Sequence, residues 1–145
     1  MKLVIDQSKE YKEVEITIKC GIVDKRLEKL ISQIRLYSFS VLGKKDNKIF
    51  NIALENIYYF ESVDEKSFIY TEDDVFETEF KLYELEKDLV DSRFVRISKS
   101  CILNIENLLS VKALLNGKYE ATMNNDEKLI INRHYVPLFK EKFGL

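Results

Sequence analysis

RFVRISKSCILN, residues 93–104, carries Arg93, Arg96 and Lys99 beside two serines and no acid. Apolar residues flank a Ser-Lys-Ser centre. The stretch therefore reads as a strand that enters a connection near Ser98–Ser100 and leaves again as a second strand, CILNI. Phe94 and Val95 are adjacent rather than alternating, as expected where a strand approaches a loop.

Working outward, similar short runs recur on both sides. IFNIAL (49–54), IYYFESV (57–63), SFIYT (67–71) and DVFETEF (74–80) precede the stretch, and LLSVKALL (108–115), KYEATM (118–123) and KLIIN (128–132) follow it. Their length and β-branched or aromatic content predict strands. Asn116-Gly117 lies between two of them, and both residue types accept the positive φ of a hairpin turn, so an antiparallel meander is expected. Helical spacing interrupts the series at FKLYELEKDLV (80–90), and Pro137 opens a short closing helix with Gly144 beyond it.

Residues 1–45 differ. In KEVEITIK (12–19), Val14, Ile16 and Ile18 alternate with polar residues, the period of a half-buried strand. From Asp24, a candidate helix cap, Leu27, Leu30, Ile31 and Ile34 form an amphipathic stripe. The expected fold class is α+β: mostly antiparallel β with short helices, preceded by a strand-strand-helix segment. Two units follow, an N-terminal accessory segment at 1–45, available for dimerisation, and a β domain at 46–145.

Composition removes several functions. Hydrophobic residues make up 46% of the 145 and charged ones 33%, so the chain can bury a core of its own. No apolar run approaches the roughly 18 residues of a membrane span, and the first ten residues lack a signal-type apolar stretch, which points to the cytoplasm. Cys20 and Cys101 are distant from each other and are expected to be reduced and buried. His134 is the only histidine, which excludes a multi-histidine metal site. The four glycines, at 21, 43, 117 and 144, build no phosphate-cradling loop. TEDDVFETE (71–79) lacks calcium-loop spacing and reads as a solvated turn and strand edge. No catalytic group, cofactor or small-molecule substrate is expected, and a hydrolase built on Asp73, Asp74 or His134 lacks a second group at motif-like spacing.

Charge is segregated along the chain. Residues 1–45 carry 10 basic and 6 acidic side chains, residues 46–92 carry 4 and 14, and residues 93–145 carry 9 and 5; the nets are +4, −10 and +4. What matters for a polyanion is the field of one face, not the total. Arginine, lysine and serine bind phosphate oxygens, and INRHY (131–135) forms a second acid-free tip. Two basic tips on one surface would suit nucleic acid. The alternative is a protein-interaction module that uses the acidic middle segment.

From about residue 46 onward the order of these signals resembles the LytTR family of DNA-binding domains of bacterial transcription regulators. ENIYYFESVDEKSFIYT (55–71) is similar to the family's opening hairpin. FKLYELEKDLVDSRFVRISKSCILNIENLLSV (80–111) is similar to its central signature, and LIINRHYVPLFKEKF (129–143) to its closing strand and helix. The resemblance implies an antiparallel β fold whose loops enter the major groove at promoter direct repeats, probed by three tips: Lys66 with Ser67, Lys99 with Ser100, and Arg133 with Asn132 and His134. Arg133 is then the guanine reader through its planar fork, while Arg96, Lys99, Ser100 and Asn132 face phosphate. Asn104, which also matches, is assigned to backbone satisfaction. The sequence departs from the family at Ser98-Lys99, where many members carry His-Arg or His-Asn; lysine is a point charge without the fork. As a stand-alone regulator without a receiver domain, the protein is expected to bind double-stranded DNA as a homodimer, with a small membrane protein as a restraining partner.

Overall fold

The computed structural model describes the backbone of residues 1–145 and the side chains of all but residues 35–38. Residues 1–24 form neither helix nor strand. The strands expected before the first helix are thus corrected. KEVEITIK has the strand period but no strand beside it in this chain, and a lone strand leaves its backbone groups unpaired. Cys20, expected to be buried, is exposed in the same segment.

Helix α1 (Lys25–Ser38) begins where expected, with the Asp24 carboxylate accepting the Leu27 N–H at 2.9 Å. The chain then enters a sheet through β1 (Ser40–Lys45) and β2 (Lys48–Ala53), joined by Asp46 and Asn47 at φ 52° and 62°. These left-handed residues match the twist of a two-residue hairpin turn. β1 pairs with β2 along its length, so position 45 lies at a hairpin turn within the sheet.

Strands β3 (Tyr59–Val63), β4 (Lys66–Tyr70) and β5 (Val75–Thr78) follow, then helix α2 (Leu82–Asp88), then β6 (Phe94–Ser98) and β7 (Cys101–Asn104). Together they form a seven-stranded antiparallel sheet in the order β2-β1-β5-β4-β3-β7-β6. β8 (Leu108–Ala113), β9 (Tyr119–Met123) and β10 (Lys128–Ile131) form a second sheet of three, and α3 (Val136–Phe143) closes the fold. The single meander expected after residue 93 is therefore divided between two sheets. The break is at Asn104: its side chain accepts the Glu106 N–H at 3.1 Å and donates to the Ile57 carbonyl at 2.8 Å, turning the chain out of β7. This fully buried asparagine has the structural role assigned to it.

Two layers of core explain the irregular apolar pattern of residues 93–104. On one face of the large sheet, Phe60, Ile69, Phe94 and Ile102 pack with Leu82 and Leu85 of α2. On the other, Val95, Ile97, Cys101 and Leu103 pack against Met123, Ile131 and Phe139 of the small sheet and α3. β6 and β7 are covered on both sides, so adjacent residues such as Phe94 and Val95 are both buried. Burial pushes the Cys101 thiol up, Glu61 adds to the shift, and Arg96 opposes it; the thiol stays protonated.

Candidate nucleic-acid interface

The strand register brings the three expected tips to one end of the molecule. Antiparallel pairing of Val63 with Lys66 places the turn at Asp64–Glu65, both at positive φ, beyond the end of β3. β7 starts at the same end, since Glu61 pairs with Cys101 and the Ser62 N–H donates to the Ser100 carbonyl at 2.8 Å. The Lys99–Ser100 turn is thereby stitched to the first hairpin. The third tip is fastened to the second: the Asn132 N–H donates to the Ile97 carbonyl at 2.9 Å, just before the β6–β7 turn.

Within this cluster the expected residues separate into two groups. Lys66, Lys99, Ser100, Arg133 and His134 are exposed and Asn132 is half-buried. Among the described residues Lys66, Lys99 and Arg133 make no ion pair. Ser67 and Arg96 face elsewhere. Ser67 is 3% exposed, because the alternation of β4 turns it inward next to exposed Lys66. Arg96 donates to Glu86 at 2.7 Å, to the Ser98 carbonyl at 2.7 Å and to the Lys99 carbonyl, so it holds the β6–β7 turn in shape from behind. Arg93 is likewise internal, paired with Glu106 at 2.9 Å and donating to the Lys142 carbonyl at 2.6 Å. Of the three cations in residues 93–104, only Lys99 is presented outward.

Two further residues act at this end without having been singled out for it. The side chain of Arg133 lies over the β8–β9 turn: a Cβ on Gly117 would come within 2.9 Å of Arg133 Cδ and 3.0 Å of Cγ. Gly117, at φ 76°, thus leaves a seat for the arginine stem as well as closing a hairpin. The Asn-Gly pair signalled the turn, but its nearness to Arg133 depends on the pairing of Tyr119 with Ile131. Lys81 Nζ donates to the Glu65 carbonyl at 3.1 Å and steadies the first tip; no sequence signal marked it.

The opposite end of the molecule has the reverse charge. Glu55, Glu72, Asp73 and Asp74 line a cleft of about 460 Å³, and the Asn125 amide donates to the Glu72 carbonyl at 3.1 Å, bringing the β9–β10 turn alongside. Among the described residues no cluster of histidine, cysteine or carboxylates is arranged to hold a metal ion, and no helix is long and apolar enough to cross a membrane.

Residues 47–144 match the family model of the LytTr DNA-binding domain. This chain belongs to that family. Among curated relatives, the sensory transduction protein LytT of Enterococcus faecalis is 27% identical over 100 residues, and the transcriptional regulatory protein LytR of Staphylococcus aureus is 29% identical over 100. Each alignment covers 69% of this chain and 41% of the relative, so the chain spans less than half the length of either protein. A solved LytTr DNA-binding domain from Bacillus cereus shares the fold, with a TM-score of 0.69 and 21% identity, covering 73% of this chain and 97% of that one. The LytTr fold accounts for the mostly antiparallel β architecture, and the family is one of DNA-binding domains.

Proposed function

We propose that this protein is a non-enzymatic transcription regulator that binds double-stranded promoter DNA through the tip end, at paired half-sites. The observation that carries this reading is the convergence of three separate connections, tied together by the Ser62–Ser100 and Asn132–Ile97 hydrogen bonds. Lys99 sits on the turn between β7 and β6, two to three strand spacings of about 4.8 Å from β4, so Lys66 and Lys99 lie roughly 10–15 Å apart. A major groove is about 12 Å wide, so such tips can straddle or enter one groove. Lys99, Ser100 and Asn132 engage phosphate, while Arg133, aimed by its seat on Gly117, reads guanine with His134 beside it and Lys66 reaches base edges from the first tip. Asp64 and Glu65 next to Lys66 oppose close phosphate approach on that flank, and the acidic far end orients the molecule with its tips toward DNA.

Selection from randomised duplexes, followed by a salt titration on the selected sequence, tests the reading. A single enriched motif is expected, with log affinity falling against log salt by about 0.9 per phosphate neutralised. No enrichment, together with no duplex affinity at low salt, would discard it.

A further inference from the structure

Residues 12–20 have the alternation of a strand and no strand beside them. Val14, Ile16 and Ile18 are 92%, 59% and 39% exposed, an apolar row facing water. Backbone donors and acceptors of an extended segment are satisfied by a neighbouring strand, and an apolar row is stable when covered. The segment is also complementary to itself. Laid antiparallel against a second copy with Ile16 on the two-fold axis, Val14 faces Ile18, Glu13 faces Lys19 and Glu15 faces Thr17. All three apolar residues then meet apolar residues, and each Lys19 meets an acid. Centring the pair on Glu15 would set two glutamates against each other and Ile18 against Lys12. Centring it on Thr17 keeps Ile16 opposite Ile18 and Glu15 opposite Lys19, but moves Val14 from Ile18 to Cys20, sets Lys12 against Ile22 and leaves Glu13 facing Gly21.

A two-stranded ribbon alone is marginal in water, and α1 supplies cover. Its stripe at Leu27, Ile31 and Ile34 is only half-buried and Leu30 is 38% exposed, although the helix lies against β2 and the turn at Leu54–Asn56. Only Gly21–Asp24 separates the segment from this helix.

We infer that two copies of this chain join through residues 12–20 in an antiparallel ribbon centred on Ile16, its apolar face covered by the two α1 helices. The contact is isologous, each strand supplying the same surface to the other. It forms without DNA, so its failure is separate from failure of the DNA-binding role.

Cysteine crosslinking of the full chain in a Cys20→Ser background tests the register. Paired strands hold opposite Cα atoms about 4.5–5.5 Å apart, within disulfide reach. Ile16→Cys is expected to give, on mild oxidation, a non-reduced species at twice the 17.2 kDa chain mass. Glu15→Cys and Thr17→Cys should each fail alone and crosslink when mixed. A crosslink at 17 with none at 16, or none at any position, overturns the inference. Sedimentation supplies a second readout: Lys19→Glu should shift dimer to monomer, and Glu13→Lys with Lys19→Glu should restore the dimer. A monomeric unsubstituted chain, or a double variant that stays monomeric, overturns it equally.

Discussion

Arg93 and Lys99 are six residues apart in one acid-free stretch and end in opposite situations. Around Arg93 the fold forms a closed polar seam between β6 and α3. The guanidinium pairs with Glu106 and reaches the Lys142 carbonyl, while Lys142 Nζ donates to the carbonyls of Val90, Ser92 and Phe94 at 2.8–3.2 Å. Burial holds the Lys142 ammonium below the ordinary lysine range. Around Lys99 the arrangement is reversed: the backbone is fastened by Ser62, Ser100 and Arg96, and the ammonium makes no ion pair among the described residues. Similar residue types thus brace the fold at one place and offer charge at the other. Hydrogen-bond acceptors on neighbouring elements make the difference, and charge alone does not.

Substitutions should separate the two roles. The largest effect is expected from Lys142→Ala, which leaves three carbonyls without their donor and costs about 2–3 kcal/mol in urea unfolding, with DNA affinity per folded molecule unchanged. A loss below about 0.5 kcal/mol would show that the seam is not a brace. Arg133→Ala should do the opposite, weakening binding to the selected sequence by about 1–3 kcal/mol and to random DNA by less, while stability stays within about 0.5 kcal/mol. Equal losses on both duplexes would remove Arg133 as the base reader.

Gly117→Ala joins the two roles, because the new Cβ both strains a left-handed residue, by about 1–2 kcal/mol, and displaces Arg133. Its effect on DNA binding should disappear in an Arg133→Ala background, as a double-mutant cycle would report. If the effect persists there, Gly117 acts on the interface through something other than the arginine. The smallest change is expected from Lys99→Ala: a modest, sequence-independent loss of affinity and a salt slope shallower by about 0.9. An unchanged slope would mean that Lys99 neutralises no phosphate.

Much of the β domain was legible because local rules and tertiary packing agree there. The Asn116-Gly117 turn, the helix at 82–88, the helix after Tyr135 and the Asp24 cap each follow from the chemistry of a few adjacent residues. The candidate site was legible in part. Lys66, Lys99, Ser100, Arg133 and His134 are exposed, whereas Ser67 is turned inward by strand alternation and Arg96 is taken up by Glu86 and two carbonyls. The segment at 12–19 shows the converse error, since alternation records a preference for strand but supplies no neighbour.

The sequence by itself determined where strands and helices form in the β domain, which residues close its turns, and that positive charge gathers toward its C-terminal third. These are short-range properties, set by periodicity, φ preference and composition. Only the tertiary structure decided that the meander divides into two sheets, which cations are silenced, and that three distant connections meet at one end. Those outcomes depend on strand register and on hydrogen bonds between residues far apart in the chain, and no local pattern encodes which acceptor a given arginine will find.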